Sequence, residues 1–558
     1  MPRQLSSTAC SVVGLLACAL RLGSQTPVIL ISVDTLRADR LSAYGYRQLQ
    51  TPHIDAFAKN GTLFEQADAQ IPLTLPSHLS LFTSTYPFTN QIEENAERVP
   101  DGATTLAALL RTHGYQTAGF VGCVFLEQQI GIGQGFDHYD SPFHFPVLSP
   151  LSGSMLAGTA QNQYAVHDRR DGALVVASAT RWLAAHRNQP VFAFVHLFDV
   201  HTPYRLAGYD AELTYVDRLM GSFQQSLKIQ GWWDRSLVIF LADHGESLGE
   251  HGEANHGTFI YESTLHVPLI LHWPNADSGH PARIAEPVGL IDVAPTILNY
   301  LHISAPAPFA GTNLLAASPH AVYAESLHTH DAFGWAALRS LRVGNWKYIG
   351  APTPELYDLR ADPGEIHNLA RSTPTKAAEL QKQLSELLAR YAPARPAPAP
   401  TDSPQARAQL RSLGYLAPGA HPTSAAEGPD PKDRMAEFHL YEDAQAALYH
   451  GRVTQATALL QQLLARDPDN TLARRDLGGC YVERKMWAQA RTAFERVLEK
   501  VPDDYVAQYE LGLACKNLGL LPEAKQHLET ACRLAPEAQQ CHQALESLRA
   551  SESITEKK

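Results

Sequence analysis

The chain has 558 residues, a formal net charge of -12 and 45% apolar residues. A single core stops growing at roughly 250–300 residues, so more than one domain is expected. The acidic balance argues against a general nucleic-acid binder. Neither a G-x-x-x-x-G-K phosphate loop nor paired C-x-x-C zinc sites occur.

Residues 1–25 read as an export signal: Arg3, an apolar stretch from Thr8 to Leu20, and the small residues Ala17-Cys18-Ala19. The stretch is too short to span a bilayer as a helix. Leu15-Leu16-Ala17-Cys18 also resembles a lipoprotein box, which makes a lipid anchor at Cys18 the alternative to cleavage after Ala19. The expected location is periplasmic or outer-surface, membrane-anchored if lipidated. Cleavage leaves Cys123, Cys480, Cys515, Cys532 and Cys541, an odd set without framework spacing, so disulfides are not expected to hold the fold.

Next comes a buried strand, Pro27 to Val33, that ends on Asp34. Thr51-Pro52 opens a helix with Thr51 as its cap, and Pro76 marks the start of another. Thr74 then lies at that helix's mouth, either as a plain N-cap or facing an anion drawn by the orphan amides. Helices are expected over Thr104–His113 and Ala173–His186, with a strand over Gln116–Val121 between them. The apolar run Pro190 to Phe198 is a buried strand that gives way to Asp199 and His201. A helix from Asp210 to Gln230 leads to the run Ser236 to Ala242, which ends on Asp243 and His244.

The polar, glycine-rich loop to His256 that follows is the focus of the chain. In open α/β sheets ligands bind beyond the carboxyl ends of strands. There, Asp243 and His244 offer one metal ion an oxygen and a nitrogen. A strand at Val267–His272, a helix at Ile291–Leu301, short β segments over 321–349 and a helix at Thr375–Tyr391 complete an α/β domain, residues 26–391. The expected fold is a mostly parallel sheet sandwiched by helices, with a small C-terminal β subdomain.

Residues 392–432 are Pro/Ala-rich and read as a stiff, mobile linker, interrupted by Leu410 to Leu416, which docks on the first domain. The remainder repeats every 34 residues: Pro468, Pro502, Pro536; Ala456, Ala490, Ala524; Ala444, Gly478, Gly512; Leu460, Phe494, Leu528. Small residues mark close helix crossings, large ones fill grooves, and Pro starts each unit. The pattern resembles the tetratricopeptide repeat, an all-α domain over 433–550 with a capping helix from Glu537 to Ala550, then a disordered tail, 551–558. Repeats of this kind imply a protein partner.

Four stretches in order, Val33-Asp34-Thr-Leu-Arg-Ala-Asp, Thr74-Leu-Pro-Ser-His78, Asp243 through Gly252 and Glu355 through Ala370, resemble the sulfatase-like branch of the alkaline phosphatase superfamily. The resemblance spans residues 27–391. It implies a metal-dependent ester hydrolase with Asp34, Thr74, Asp243 and His244 at the metal. Sulfatases carry Cys or Ser, converted to formylglycine, where this chain has Thr74, which cannot give the aldehyde. The family's Arg is His78, its second Asp is Thr35, and its Gly-Lys-x-His pattern has no match in Gly122 to Phe125.

The metal site is instead similar to that of phosphoethanolamine transferases, in which a metal-bound Thr is the nucleophile and histidines matching His201 and His256 act. The resemblance therefore implies hydrolysis or transfer of an anionic phosphate mono- or diester through Thr74. His201 and His256 would protonate the leaving oxygen or hold substrate. Alternatively, Asp199, His201 and His256, with His78, form a second metal or substrate site. A histidine ligand favours zinc or manganese over calcium. The rival readings are sulfate-ester hydrolysis without formylglycine, and a degenerate binding module whose working part is the repeats.

Overall fold

The computed structural model describes residues 25–59, 61–95, 97–143, 169–275, 279–316, 320–393, 428–536 and 538–555. The export segment, Cys18, residues 410–416 and most of the Pro/Ala-rich linker lie outside them.

The first domain is built on a nine-stranded sheet. Its strands are β1 (Val28–Val33), β2 (Gly61–Asp68), β3 (Gln116–Phe120), β4 (His138–Asp140), β5 (Val191–Leu197), β6 (Leu237–Leu241), β7 (His266–His272), β8 (Arg283–Ile284) and β9 (Val288–Gly289). The spatial order is β4-β3-β5-β1-β6-β7-β2-β8, with β9 also on β2. All pairings are parallel except those of β7, which runs against β6 and β2. Every residue of β1, β5 and β6 is buried, as expected of strands covered on both faces. Parallel pairing brings Val33 opposite Leu197 and Ser32 opposite Leu241, so these three strands end together. β2 runs the same way through its antiparallel partner β7, and delivers its outgoing loop to that edge too.

A four-stranded antiparallel sheet follows: β10 (Val322–Ser326), β11 (Leu338–Val343), β12 (Trp346–Gly350) and β13 (Glu355–Asp358). Helix Pro374–Tyr391 packs Leu380 and Leu384 on it, with Tyr86, Phe88 and Tyr323.

The repeats form paired helices Met435–Tyr449 and Val453–Arg466, Thr471–Glu483 and Trp487–Lys500, Tyr505–Asn517 and Leu521–Leu534, then Gln539–Thr555. A Cβ added to Gly478 would stand 2.7 Å from the Phe494 ring, and one on Gly512 2.7 Å from Leu528. The periodic small and large residues are therefore partners across one crossing.

Four expectations need correction. The helix at Thr51 is capped from afar: His53 N and Ile54 N both donate to Asp217 Oδ1, at 3.0 and 2.9 Å, while the Thr51 hydroxyl donates to Asp55. The capping helix does not stop at Ala550 but runs to Thr555, because no Gly or Pro interrupts it. Cys532 and Cys541 form a disulfide between the last two helices, since the turn between them brings their Cα atoms to 5.5 Å. Finally, the C-terminal end of the expected tether is fixed: Ala336 N donates to Pro429 O at 2.9 Å, Thr353 N to Asp430 Oδ2 at 3.0 Å, and Lys432 pairs with Glu355 at 2.8 Å. The cause is Asp430 and its neighbours, whose polar groups find partners that the linker composition does not disclose.

Candidate active site

Helix Thr74–Thr83 begins at the edge where β1, β5 and β6 end, and all ten of its residues are buried. Thr74 is its first residue, not its cap; Leu73 occupies the cap position and makes no side-chain bond. Pro76 at the third position lacks an amide that would have no helical partner anyway. Leu75 N donates to Asn95 Oδ1 at 2.9 Å. The Thr74 hydroxyl is thus released from capping and donates to Asp34 Oδ2 at 3.2 Å.

Around it each polar group has one atom held and one free. Asp34 Oδ2 accepts from Thr74 and from His196 Nε2, also at 3.2 Å, while Oδ1 has no hydrogen-bond partner. Asp243 Oδ1 accepts from His244 N at 2.9 Å and Thr35 N at 3.4 Å, while Oδ2 has none. His244 Nδ1 donates to Gly245 O at 2.9 Å, which fixes the tautomer and leaves the Nε2 lone pair free. Ligand atoms of Asp34, Asp243 and His244 lie within 4.8 Å of one another. Buried polar atoms left unpaired are costly, and three of them converging with outer hydrogen bonds setting their orientation is the arrangement of a metal site. The donor set fits a divalent cation.

Burial dominates the electrostatics. It raises Asp34 to about 6 and, with Asp34 as the next cause, raises Asp243. It lowers His78, His196 and His256 to about 4. Two like charges in a dry site repel each other, a cost that a cation relieves.

Thr35, which stands at the family's second Asp, is a β-branched residue with φ of 55°, a conformation costing about 1–3 kcal/mol. It is held there by its hydroxyl on Asp34 O at 2.8 Å and by the Tyr209 hydroxyl on its carbonyl at 2.9 Å. The strain aims its amide at Asp243, so the backbone contributes where a side chain was expected. Gly245 is obligatory for a different reason: a Cβ there would meet Ser263 O at 2.3 Å.

His201 and His256 lie on the half-buried side of the cluster. The His256 ring is 4.5 Å from His244 and 5.0 Å from His201, centroid to centroid. Its Nδ1 is bound to Glu246 Oε1 at 2.8 Å. His201 stacks on Phe198 at 4.2 Å.

Two candidates are otherwise engaged. Asp199 is paired with Arg205 and accepts from Gly172 N at 3.2 Å. Among the described residues, no set with metal-ligand spacing includes Asp199, His201 or His256. His78 donates from Nδ1 to Thr74 O at 2.7 Å and accepts from Ser32 at Nε2, 3.0 Å, so both ring nitrogens are used within the fold. It also stands 3.6 Å from Asp243. His196, Glu246 and Asn95 belong to the site and were missed. A histidine inside the otherwise apolar run 190–198 was the available signal for His196.

A model of the sulfatase family matches residues 26–303, and one of the N-sulphoglucosamine sulphohydrolase C-terminal region matches 249–393. Residues 26–303 belong to the sulfatase family. Two tetratricopeptide models match 447–511 and 485–539. Bos taurus arylsulfatase K is 22% identical over 453 residues, 66% of this chain and 83% of that protein. An ulvan-active sulfatase from Formosa agariphila is 23% identical over 416 residues, 64% of this chain and 81% of that one. The phosphonate monoester hydrolase of Agrobacterium radiobacter has the same fold, with a TM-score of 0.53 at 21% identity, over 66% of this chain and 96% of its own. Sulfatase-family members are ester hydrolases that generally bind a divalent metal, and the Asp34, Asp243 and His244 ligand atoms could hold one.

Proposed function

We propose that the chain is a metal-dependent hydrolase or transferase of phosphate mono- or diesters that attacks through Thr74. One observation carries this: the Thr74 hydroxyl is buried, is not a helix cap, and rests on Asp34 beside three converging free ligand atoms. Asp34, Asp243 and His244 would hold the cation, and their mixed oxygen and nitrogen donors favour zinc or manganese over calcium. Bound there, a divalent cation lowers a hydroxyl's pKa and offsets substrate charge.

Asp34 Oδ2 fixes the hydroxyl's direction and takes its proton as the Thr74 Oγ1–phosphorus bond forms and the ester bond breaks. Burial raises the Glu246 carboxyl to about 8, so it donates its proton to His256 Nδ1 and leaves Nε2 as the protonated nitrogen; Nε2 gives that proton to the departing oxygen as Nδ1 takes the one from Glu246. Water then releases Thr74. His201 shields the mouth and binds substrate oxygens.

The names of the sulfatase relatives favour a second reading, sulfate-ester hydrolysis at the same site without formylglycine. A screen of purified full chain on aryl phosphate monoesters, diesters and sulfate esters, with zinc, manganese or calcium, separates the two. Turnover of sulfate esters alone would overturn the phosphate reading, and no turnover of any ester would favour a binding module.

We also place the mature chain outside the cytoplasm, a reading the Cys532–Cys541 disulfide supports. The mass of mature protein tests it: loss of the first 19 residues, or a lipid on Cys18, is expected, and an intact N-terminus would contradict it.

A further inference from the structure

The first repeat helix, Met435–Tyr449, sets its leading side against the enzyme domain. Met435, Phe438, His439 and Glu442 follow the i, i+3, i+4, i+7 spacing of one helix stripe, and that stripe meets the enzyme domain. Met435 packs on the main core, Phe438 against Phe333 at 6.0 Å, and His439 Nε2 donates to Gly252 O at 2.6 Å. Glu442 Oε1 accepts from Asn255 Nδ2 at 2.9 Å.

In the second repeat the residue matching Glu442 is Asp476, which accepts from Tyr441 and Gln445 of the preceding unit. The enzyme domain thus stands where a preceding repeat would, and at Glu442 and Asp476 the acid of this position binds what comes before it.

Asn255 is next to His256 and links three segments. Its backbone carbonyl accepts from Ser247 N at 2.7 Å, and its Oδ1 accepts from Thr202 Oγ1 at 3.4 Å, one residue past His201. A carboxylate can only accept, so Glu442 dictates which way the Asn255 amide points and thereby presents Oδ1 to Thr202. We propose that Glu442 is a positioning residue for His201 and His256, acting through Asn255. This rests on the ester-hydrolase reading of the site, in which His256 protonates the leaving oxygen.

The test uses the full chain with Glu442→Ala, Glu442→Gln, Asn255→Ala and the Glu442→Ala/Asn255→Ala double variant. Positioning of a proton donor matters most when the leaving group is poor. Glu442→Ala should lower kcat on an alkyl ester roughly tenfold, with less than about threefold loss on the 4-nitrophenyl ester. Glu442→Gln keeps an acceptor and should restore both to within about twofold. In the Asn255→Ala background, Glu442→Ala should cost nothing further. Wild-type turnover of the alkyl ester by Glu442→Ala, equal losses on both esters, or a further full loss in the double variant would each overturn the proposal.

Hydrogen exchange separates this from failure of the ester-hydrolase reading. Glu442→Ala should speed amide exchange in segments 199–204 and 249–257 whether or not any ester is turned over. Unchanged exchange there would refute the link even in an active enzyme.

Discussion

Where the two sheets of the enzyme domain meet, Arg342 Nη1 donates to both oxygens of Asp68, at 3.0 and 2.9 Å, and to Glu262 at 3.1 Å. Lys347 reaches Glu262 and Glu365, each at 2.9 Å. Burial alone would raise Glu262, but Lys347 and Arg342 outweigh it and hold its pKa down to about 2. At the carboxyl edge of β1 and β6, Asp34 and Asp243 are as deeply buried, yet among the described residues they pair with histidines and with no lysine or arginine. In the first cluster each carboxylate has a cationic side chain as partner, and the cluster serves the fold. The second leaves three converging atoms without a hydrogen-bond partner, a donor set that fits a divalent cation. Burial does not distinguish a structural charge from a functional one; the direction of its unpaired atoms does.

The sharpest way to break this comparison is Thr74→Ala. It should reduce turnover of the best ester at least about a thousandfold, while the melting temperature barely moves because the hydroxyl is not a cap. Thr74→Ser should keep measurable activity. Equal rates for wild type and Thr74→Ala would rule out Thr74 as nucleophile.

Next in size is Arg342→Ala, which strands Asp68 as a buried uncompensated acid and leaves Glu262 with Lys347 alone. A loss of about 3–5 kcal/mol is expected in denaturant unfolding of the enzyme domain. A loss under about 1 kcal/mol, typical of an exposed pair, would mean that the cluster is not structural.

Asp243→Asn should do the reverse. In chelator the variant should be at least as stable as wild type, because one of two repelling carboxylates is gone. Wild type should gain about 2.7 kcal/mol with metal at a hundred times its Kd, and the variant should gain almost none. Equal metal-induced rises in melting temperature would remove Asp243 from the ligand set.

The smallest effect concerns Glu510 in the third repeat, a buried acid with an unpartnered oxygen and no converging ligands. Burial, then Glu483, raises it to about 8 from an ordinary 4.5. The folded repeats therefore hold this proton more tightly than the unfolded chain does. The stabilisation is complete below about pH 4.5 and is lost as pH rises through about 8. Glu510→Gln should raise the melting temperature of the repeats by at least about 5 °C at pH 9 and change it little at pH 4. Identical shifts at both pH values would show that Glu510 does not titrate in that range.

Much of the site was legible because it sits where local patterns end. Asp34, Asp243 and His244 each terminate an unbroken apolar run, and such runs mark buried strands. Thr74 is legible from its helix-start residues, which leave open whether its hydroxyl caps the helix or faces an anion; the bond to Asp34 decides. His196 escaped because one histidine in an apolar strand carries no address; β1 must lie beside β5 before its ring meets Asp34. Asp199 fitted the same strand-end rule as Asp34, but Arg205, six residues on, claims it.

The amino-acid sequence by itself determined the elements and their kinds: buried parallel strands from apolar runs, repeat helices from a 34-residue period, and a carboxylate, an imidazole and a hydroxyl at the right ends. These are local or periodic properties, set by residue chemistry over a few turns. Only the tertiary structure decided which ends share an edge, which carboxylates face each other and which face an arginine, and that the first repeat meets the enzyme domain through Glu442 and Asn255. Those outcomes depend on strand order, register and docking between residues up to hundreds of positions apart, and no local pattern encodes them.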